Sequence, residues 1–335
     1  NVIGVVVLLT VFCIVRAAFA PALLDESATM AGIAVTHSVF NVLCTAMLLP
    51  AGGLLEKLAC RIVPDDSQTQ GEKTTELDER LLPTPSLALR QSRAVAREMA
   101  DCAVRALNNA LTALDHNTPE LAQSIHDDEE LCDHYEDILG TYLVKLSTQK
   151  MGRDESEEAT ELLKTIGDFE RISDHAVNIL SSAKEMEQKG LTFSGSALNE
   201  LAILTSAIRE ILSLALKAFE QRDVSVASQV EPLEQVIDTL KEQMRTRHIL
   251  RMQQGQCSIE AGFVLSDLLT DLERTSDHCS NIAARIVGKE SEDDHFDAHE
   301  FRRNMHDGYV PNFNEMLAQY KLKYYTPLLE SQETA

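Results

Sequence analysis

The chain opens with two long apolar segments and then changes to an amphipathic pattern. Val2–Val15 is almost entirely apolar, the apolar character continues to Leu24, and a second run covers roughly Met30–Ala59. Each run is about long enough to cross a ~30 Å hydrocarbon core. Two buried helices of a soluble protein are the alternative interpretation. Because the runs stand back to back before a sharp fall in hydropathy, we predict that residues 1–63 are the last transmembrane helices of a domain that is incomplete at its N-terminus.

The rest of the chain follows a helical pattern of apolar positions. Residues 64–85 are polar and proline-containing, which indicates a flexible linker. From residue 86 to about 290, apolar residues recur at helical spacing between capping and breaking residues. Residues 291–335 form a tail that is first acidic and then aromatic, with one docking helix expected at roughly Asn312–Tyr324. The six predicted helices of the central region are Ser86–Asp115, Thr118–Lys150, Asp154–Lys189, Ser194–Glu220, Asp223–Gln254 and Cys257–Val287.

These six helices fall into two matching sets of three. Residues 168–180 read DFERISDHAVNIL and residues 271–283 read DLERTSDHCSNIA. The preceding helices repeat too, because the acids at 130, 133 and 137 correspond to those at 231, 234 and 238. A repeat this long indicates a duplicated bundle rather than a solenoid, whose units have about 20–50 residues. We therefore predict an all-α fold in which the end of a helical transmembrane domain precedes two tandem three-helix bundles.

Each repeat carries carboxylates outside its apolar face. In the predicted third helix, Glu170, Asp174 and Asn178 follow i, i+4, i+8 spacing and form a polar stripe. The apolar face of this helix is predicted to consist of Leu162, Ile166, Phe169, Ile172, Ala176, Ile179 and Leu180. The sixth helix repeats the stripe as Glu273, Asp277 and Asn281, with an apolar face of Leu268, Leu272, Cys279 and Ile286.

Clustered carboxylates favour a bound cation. Like charges at i, i+4 destabilise a helix by a few tenths of a kcal/mol per pair, and neighbouring carboxylates raise each other's pKa. A cation removes both costs, and all-oxygen sites suit hard cations. A solvated acidic face is the alternative. If neighbouring helices turn these stripes together, each repeat gathers about four or five carboxylates. The candidates are the acids at 130, 133, 137, 170 and 174 in the first repeat and those at 231, 234, 238, 273 and 277 in the second.

Two histidines adjoin these stripes. His175 and His278 each follow the second acid of a stripe. A residue one position along points about 100° away on a helix, so helix–helix packing is favoured over a role as outer metal ligands. We expect the neighbouring Arg171 and Arg274 to pair with local acids rather than with a substrate.

Composition excludes several functional classes. The 53 acidic against 30 basic residues give a formal net charge of −23, which argues against nucleic-acid binding. The seven cysteines are scattered without a C-x-x-C pair, so neither a disulfide framework nor a zinc knuckle is expected. The sequence contains no P-loop, no G-x-S-x-G elbow and no H-E-x-x-H motif. We therefore do not expect an enzyme.

The doubled frame E-R-[IT]-S-D-H-x-x-N-I resembles the PhoU domain over roughly residues 86–290. The resemblance implies two tandem three-helix bundles with carboxylate-bound metal clusters and a role in regulating phosphate uptake. Glu170, Asp174, Glu273 and Asp277 fall on the family's E-x-x-x-D positions, and Asp133, Asp137, Glu234 and Asp238 fall on the acidic motifs of the preceding helices. Iron, manganese, magnesium and zinc are all compatible with this expectation.

The second apolar run carries a further resemblance. His37, Asn41 and Thr45 follow i, i+4, i+8 within THSVFNVLCTAMLLP, and polar groups in a membrane helix face protein, water or substrate. Interhelical hydrogen bonding is the alternative. This stretch is similar to a segment near the end of the membrane part of bacterial sodium/phosphate cotransporters, which often carry a PhoU-like domain. That likeness places His37 and Asn41 near a transport path, with sodium as the coupling ion.

Together these features predict the C-terminal part of a sodium-dependent transporter of inorganic phosphate. We expect a multi-pass protein of the bacterial inner membrane with residues 86–335 in the cytoplasm, since Lys57 and Arg61 follow the second run. A homo-oligomer is compatible with the sequence. The alternatives are a carboxylate-bridged metal enzyme and a metal-binding scaffold docked on the membrane. The only Glu-x-x-His, Glu292–His295, lies in the tail, which counts against the enzyme.

Overall fold

The computed structural model describes residues 12–14, 16–18, 35, 37–42, 45–46, 77–288 and 312–330. The chain forms two compact units, residues 1–74 and residues 75–335. In the first unit the described residues are short stretches of helix, and most of the two apolar runs lies outside them.

Every regular element described in the second unit is helical, which confirms the all-α prediction. A 3₁₀ turn at Glu79–Leu81 precedes the first helix. The helices are α1 (Pro85–Ala113), α2 (Pro119–Ser147), α3 (Arg153–Lys189), α4 (Gly195–Gln221), α5 (Val224–Ala227), α6 (Val230–Gln253), α7 (Ile259–Gly288), α8 (Phe313–Tyr320) and α9 (Thr326–Glu330), with a π-helical turn at Lys321–Tyr325 between α8 and α9.

Side-chain caps and glycines fix the ends of the long helices. The hydroxyl oxygen of Thr118 accepts a hydrogen bond from the Leu121 N–H at 3.2 Å, and Ser194 accepts one from the Ala197 N–H at 3.3 Å. At the other ends, Gly190 and Gly255 adopt φ angles of 60° and 71°, a left-handed conformation that glycine adopts without steric cost. These glycines end α3 and α6 close to the predicted positions.

The predicted fifth helix is divided into two. A single helix over Asp223–Gln254 was expected, whereas the structure has the short α5 and then α6 from Val230. Pro232 provides the physical reason. A proline has no N–H to donate and its ring clashes with the carbonyl four residues earlier, here that of Ser228, so it is tolerated only in the first turn of a helix.

The six long helices form two three-helix bundles around a shared apolar core. α1, α2 and α3 pack on one another, as do α4, α6 and α7, while α3 packs on α7 and α1 on α4 between the bundles. All eleven apolar positions predicted for α3 and α7 are buried, which confirms both apolar faces. The ring of Phe169 on α3 packs edge to face on that of Phe219 on α4, with the ring centroids 5.0 Å apart, and so connects the two bundles.

The C-terminal segment packs on α4 and α6 through buried charges. Arg251 donates to both carboxylate oxygens of Glu200 at 2.9 and 2.8 Å. Arg247 also pairs with Glu200 and donates to the backbone carbonyl of Leu328 at 2.7 Å. On the surface, Lys323 binds Glu210 at 2.7 Å. These contacts hold the π-helical turn and α9 against the second bundle.

The predicted location in the membrane is wrong. Within the described parts of the chain, no helix combines the length and the apolar character needed to cross a bilayer. This finding contradicts the multi-pass inner-membrane localisation expected from residues 1–63.

Candidate metal centre

Carboxylates of α2 and α3 converge on the first bundle. One oxygen each from Glu129, Asp133 and Asp174 lie within 4.8 Å of one another. Glu170 lies one turn before Asp174 on α3 and interacts with the charges of Asp174 and Asp133. We call Glu129, Asp133, Glu170 and Asp174 the first carboxylate cluster. Three of these four residues were predicted as ligands.

The negative charges of this cluster change its proton affinity. Partial burial and then repulsion from Asp174 raise the pKa of Glu170 to about 7, although Arg171 opposes the shift. The pKa of Glu129 and that of Asp133 are also raised, in both cases first by burial and then by neighbouring carboxylates that include Asp174. Repulsion of this kind is relieved by a cation, so the cluster has the electrostatic character of a cation site.

Glu129 was missed, and Asp137 has a smaller part than expected. The stripe on α2 was assigned to residues 130, 133 and 137, but Glu130 is exposed and Glu129 faces the cluster instead. Asp137 is exposed and acts on the cluster by raising the pKa of Asp133. The spacing i, i+4 from Glu129 to Asp133 matches that from Glu170 to Asp174, and this shared spacing is the feature that could have identified Glu129.

The second bundle gathers the equivalent carboxylates around a lysine. Lys241 lies 3.0 Å from a carboxylate oxygen of Glu273 and 4.0 Å from one of Asp238. Burial, followed by the charges of Glu231, Asp277 and Asp238, raises the pKa of Glu234 to about 9. We call Glu234, Asp238, Glu273 and Asp277 the second carboxylate cluster.

A lysine distinguishes the two clusters. Gly140 stands three residues after Asp137, just as Lys241 stands three residues after Asp238. The side chain of Lys241 is only 17% exposed, and its ammonium supplies a positive charge where the first repeat has no side chain. At the first cluster, Arg171 binds Asp174 at 3.0 Å, but its side chain is 60% exposed and lies at the edge.

The repeated histidines form the junction between the bundles. Nδ1 of His175 lies 2.9 Å from Oδ1 of Asp271, and Nδ1 of His278 lies 2.8 Å from Oδ1 of Asp168, so each repeat bonds to the other in the same way. The centroids of the two imidazole rings are 5.7 Å apart. This geometry confirms that the histidines serve helix–helix packing. Asp168, His175, Asp271 and His278 are here called the inter-bundle junction.

The asparagines of the predicted stripes belong to this junction. The side-chain amide of Asn178 donates to Asp271 at 3.3 Å, and that of Asn281 donates to Asp168 at 3.2 Å. Asp168 also forms an ion pair with Arg285. Asp168 and Asp271 were not singled out from the sequence, although each precedes the repeated Glu by two residues in the same frame. Part of the duplicated motif therefore joins the repeats rather than contributing to the carboxylate clusters.

His37 and Asn41 lie in the first unit, on a short stretch of helix. The side-chain nitrogens of His37 and Asn41 are 3.0 Å apart, and the hydroxyl of Thr45 donates to the Asn41 carbonyl at 2.9 Å. The i, i+4, i+8 arrangement is therefore that of one helical face. Both side chains are exposed. Their predicted transport role stays a prediction, as does the role of the predicted metal ligands.

Comparison with known proteins agrees with the duplicated architecture. The family model for the PhoU domain matches residues 96–183 and 201–286, which together make up just over half of the chain. The chain belongs to the PhoU domain family. The first matched segment spans most of α1–α3 and the second spans most of α4–α7. The PhoU architecture thus accounts for both bundles.

Individual relatives carry the same domain. The phosphate-specific transport system accessory protein PhoU homolog 1 of Thermotoga maritima is 25% identical over 54% of this chain and 78% of its own length. The PhoU homolog of Borreliella burgdorferi is 24% identical over 55% of this chain and 85% of its own. The crystal structure of PhoU from Pseudomonas aeruginosa has a TM-score of 0.56 at 20% identity, covering 61% of this chain and 95% of that protein. This structural likeness concerns the fold alone.

Proposed function

We propose that this chain regulates phosphate transport and that residues 75–335 carry the regulatory activity. The observation that carries the proposal is the PhoU family match over both bundles. It is supported by the two relatives that are named accessory proteins of phosphate-specific transport systems. An accessory role fits a chain without a catalytic motif, and it makes a phosphate transport system the expected partner. A transport activity of this chain itself is not part of the proposal.

The proposal includes a metal ion at the first carboxylate cluster. The group of three carboxylates on α2 and α3 supplies oxygen donors only, and Glu170 lies beside it. Manganese, magnesium and iron match such a donor set better than zinc, which favours nitrogen and sulfur ligands. A bound dication would neutralise charges whose mutual repulsion now raises the pKa of Glu170. It would also tie α2 to α3 on the surface of the first bundle.

The second carboxylate cluster is expected to bind metal more weakly. Lys241 already neutralises part of its negative charge at 3.0 Å from Glu273. A dication entering this cluster would have to displace or repel the ammonium. We therefore infer one strong metal site in each chain rather than two equal ones.

Metal titration of matched variants tests this part of the proposal. Asp174 and Asp277 hold equivalent positions in the two repeats. Asp174→Asn should lower Mn²⁺ affinity at least tenfold, as measured by calorimetry on protein first stripped with a chelator. Asp277→Asn, the control, should change it less than twofold. Equal losses in both variants, or none in either, would contradict the assignment of the strong site to the first cluster.

The regulatory role is tested in the organism that encodes the chain. Deleting the gene should leave uptake of radiolabelled phosphate high when external phosphate is plentiful, because an accessory regulator that restrains transport is missing. Re-expression of the full chain should restore the restraint. Uptake that is identical with and without the gene, at both low and high external phosphate, would reject the proposed function.

A further inference from the structure

A cavity of about 140 Å³ lies where the two bundles meet. Its lining comes from α1 and α3 of the first bundle and from α4, α5 and α7 on the other side. The apolar part of the lining includes Phe219 and the buried Ile286. Three arginines, Arg93, Arg97 and Arg222, line the same cavity. We call this site the arginine cavity. It shares no residue with either carboxylate cluster.

The carboxylates of the cavity do not match its three guanidinium groups. Glu158 pairs with two of them, because Arg93 forms an ion pair with Oε1 and Arg222 donates to the same oxygen at 3.1 Å. Arg97 donates a hydrogen bond of 3.1 Å to the backbone carbonyl of Glu220. This carbonyl carries no formal charge. Glu161 is the second acid of the lining. The lining therefore carries three positive and two negative charges in a protein whose net charge is −23.

The other two arginines of the cavity act on the guanidinium of Arg93. Burial is the first cause that lowers the pKa of Arg93, Glu158 opposes it, and the charges of Arg222 and Arg97 lower it further. Glu161 opposes the shift as Glu158 does, so Arg93 experiences repulsion from two guanidinium groups and attraction to two carboxylates. An added anion would reduce the repulsion among the three guanidinium groups.

Arg222 reaches the cavity from a strained backbone position. It caps the C-terminal end of α4 with a φ angle of 52°, in the left-handed region. A residue with a Cβ atom is disfavoured there by roughly 1 kcal/mol or more, and glycine is the usual occupant. The chain nevertheless has an arginine at this position, and its guanidinium lies against Glu158 in the cavity lining.

We propose that the arginine cavity binds a phosphoryl group, either as free inorganic phosphate or at the end of a small phosphomonoester. Guanidinium groups form paired hydrogen bonds to the oxygens of phosphate, and arginine is the residue that most often recognises such groups. A phosphoryl group is tetrahedral and carries close to two negative charges at neutral pH, so it can accept from donors that approach from α1 and from the end of α4 together. Because both bundles supply donors, binding would hold them together.

Calorimetry on the full chain tests the proposal, with EDTA present so that no metal-bound phosphate contributes. Inorganic phosphate and AMP are titrated separately to distinguish the free ion from a phosphomonoester. Saturable binding of either at one site per chain is expected. Arg97→Gln should weaken that binding at least tenfold, and Arg97→Lys, which keeps the charge but loses the fork, should weaken it less. Arg97 is exposed and makes no carboxylate pair in the described structure, so the fold should tolerate both changes.

Two control variants make the result specific. Arg90 is an exposed arginine of α1 that does not line the cavity, so Arg90→Gln should bind as the unchanged chain does. Asp133→Asn, which alters the first carboxylate cluster, should also leave binding unchanged. The proposal is overturned if neither ligand binds saturably, or if citrate binds as tightly as the phosphoryl ligands. It is also overturned if Arg90→Gln or Asp133→Asn reduces phosphoryl binding as much as Arg97→Gln does. A failed regulatory test in cells would leave this outcome unaffected.

Discussion

At the scale of single residues, Glu170 illustrates how the fold changes the chemistry of a side chain. On an isolated helix it would be an ordinary surface carboxylate, and its like-charged neighbour Asp174 would cost only a few tenths of a kcal/mol. In the folded chain, burial and that neighbour raise its pKa to about 7. Glu170 is therefore partly protonated at neutral pH, and ionising it opposes folding.

This shift makes the stability of the metal-free protein depend on pH. The folded state holds a proton on Glu170 up to about pH 7, whereas an unfolded Glu loses it near 4.5. Over that interval the folded state binds more protons, so the free energy of unfolding falls as the pH rises. Glu170→Gln should remove part of the slope and stabilise the metal-free protein at pH 8 by on the order of 1 kcal/mol. Urea unfolding at pH 5 and pH 8 measures this, and a variant with the original slope would refute it.

Lys241 should limit metal binding at the second carboxylate cluster. Replacing it with Ala removes the positive charge beside Glu273 and makes the second cluster resemble the first, where Gly140 stands. Lys241→Ala should therefore raise the amount of Mn²⁺ bound per chain, as measured by elemental analysis after dialysis. Lys164→Ala, a change at an exposed lysine of α3, should not. Equal metal content in all three proteins would show that Lys241 does not limit binding.

The residues of the candidate site were only partly predictable from the sequence. Helical spacing placed Asp133 and Asp174 on facing stripes, and the structure brings their carboxylates together. The choice between Glu129 and Glu130 depends on the rotation of α2 in the bundle, and the i, i+4 spacing from Glu129 to Asp133 was the sequence signal that favours Glu129. The pairing of Asp168 with His278 depends on how the two bundles dock, and no local pattern specifies that.

At the scale of elements, the inter-bundle junction joins α3 and α7 through buried polar pairs. Asp168 is 6% exposed and is bound by His278, Asn281 and Arg285. Burial alone would raise its pKa, but these three partners outweigh burial and hold the pKa below the ordinary value. Asp271 receives hydrogen bonds from His175 and Asn178, and no guanidinium contacts it in the described structure.

The two aspartates should therefore differ in their contribution to stability. Asp168→Ala leaves Arg285 without its carboxylate and should lower the free energy of unfolding by about 3 kcal/mol at pH 7. Asp271→Ala should cost less, about 1–2 kcal/mol. Because the pKa of Asp168 is depressed, its contribution is present above about pH 4 and is lost as the pH falls through the folded-state pKa. Chemical denaturation at pH 7 and pH 3 checks this, and equal losses for both variants would contradict it.

Element boundaries followed from local chemistry wherever that chemistry was strong. Gly190 and Gly255 ended α3 and α6 as predicted, since few residues other than glycine adopt their φ angles. The division between α5 and α6 was missed, because amphipathic spacing continues across Pro232 and outweighed the proline in the prediction. The contact of α9 with Arg247 depends on tertiary packing and has no marker in the sequence.

At the scale of the whole molecule, the duplication of the bundle determines where the candidate ligand sites of the second unit lie. Two three-helix bundles share one core, and the arginine cavity and the inter-bundle junction both lie between them. Ligands at this interface would act on the arrangement of the bundles, whereas a metal at the first carboxylate cluster would act within one of them. A ligand shifts a conformational equilibrium only if it binds one state better than the other, and a ligand in the arginine cavity would contact both bundles.

We propose that the first carboxylate cluster supports a regulatory role in phosphate transport. The most direct test is radiolabelled phosphate uptake in cells that carry either Asp174→Asn or its repeat equivalent Asp277→Asn on the chromosome, at matched protein levels and high external phosphate. We predict that Asp174→Asn raises uptake toward the level of a deletion, while Asp277→Asn stays close to the original strain. Uptake that is unchanged by Asp174→Asn, or raised equally by both substitutions, would contradict the claim.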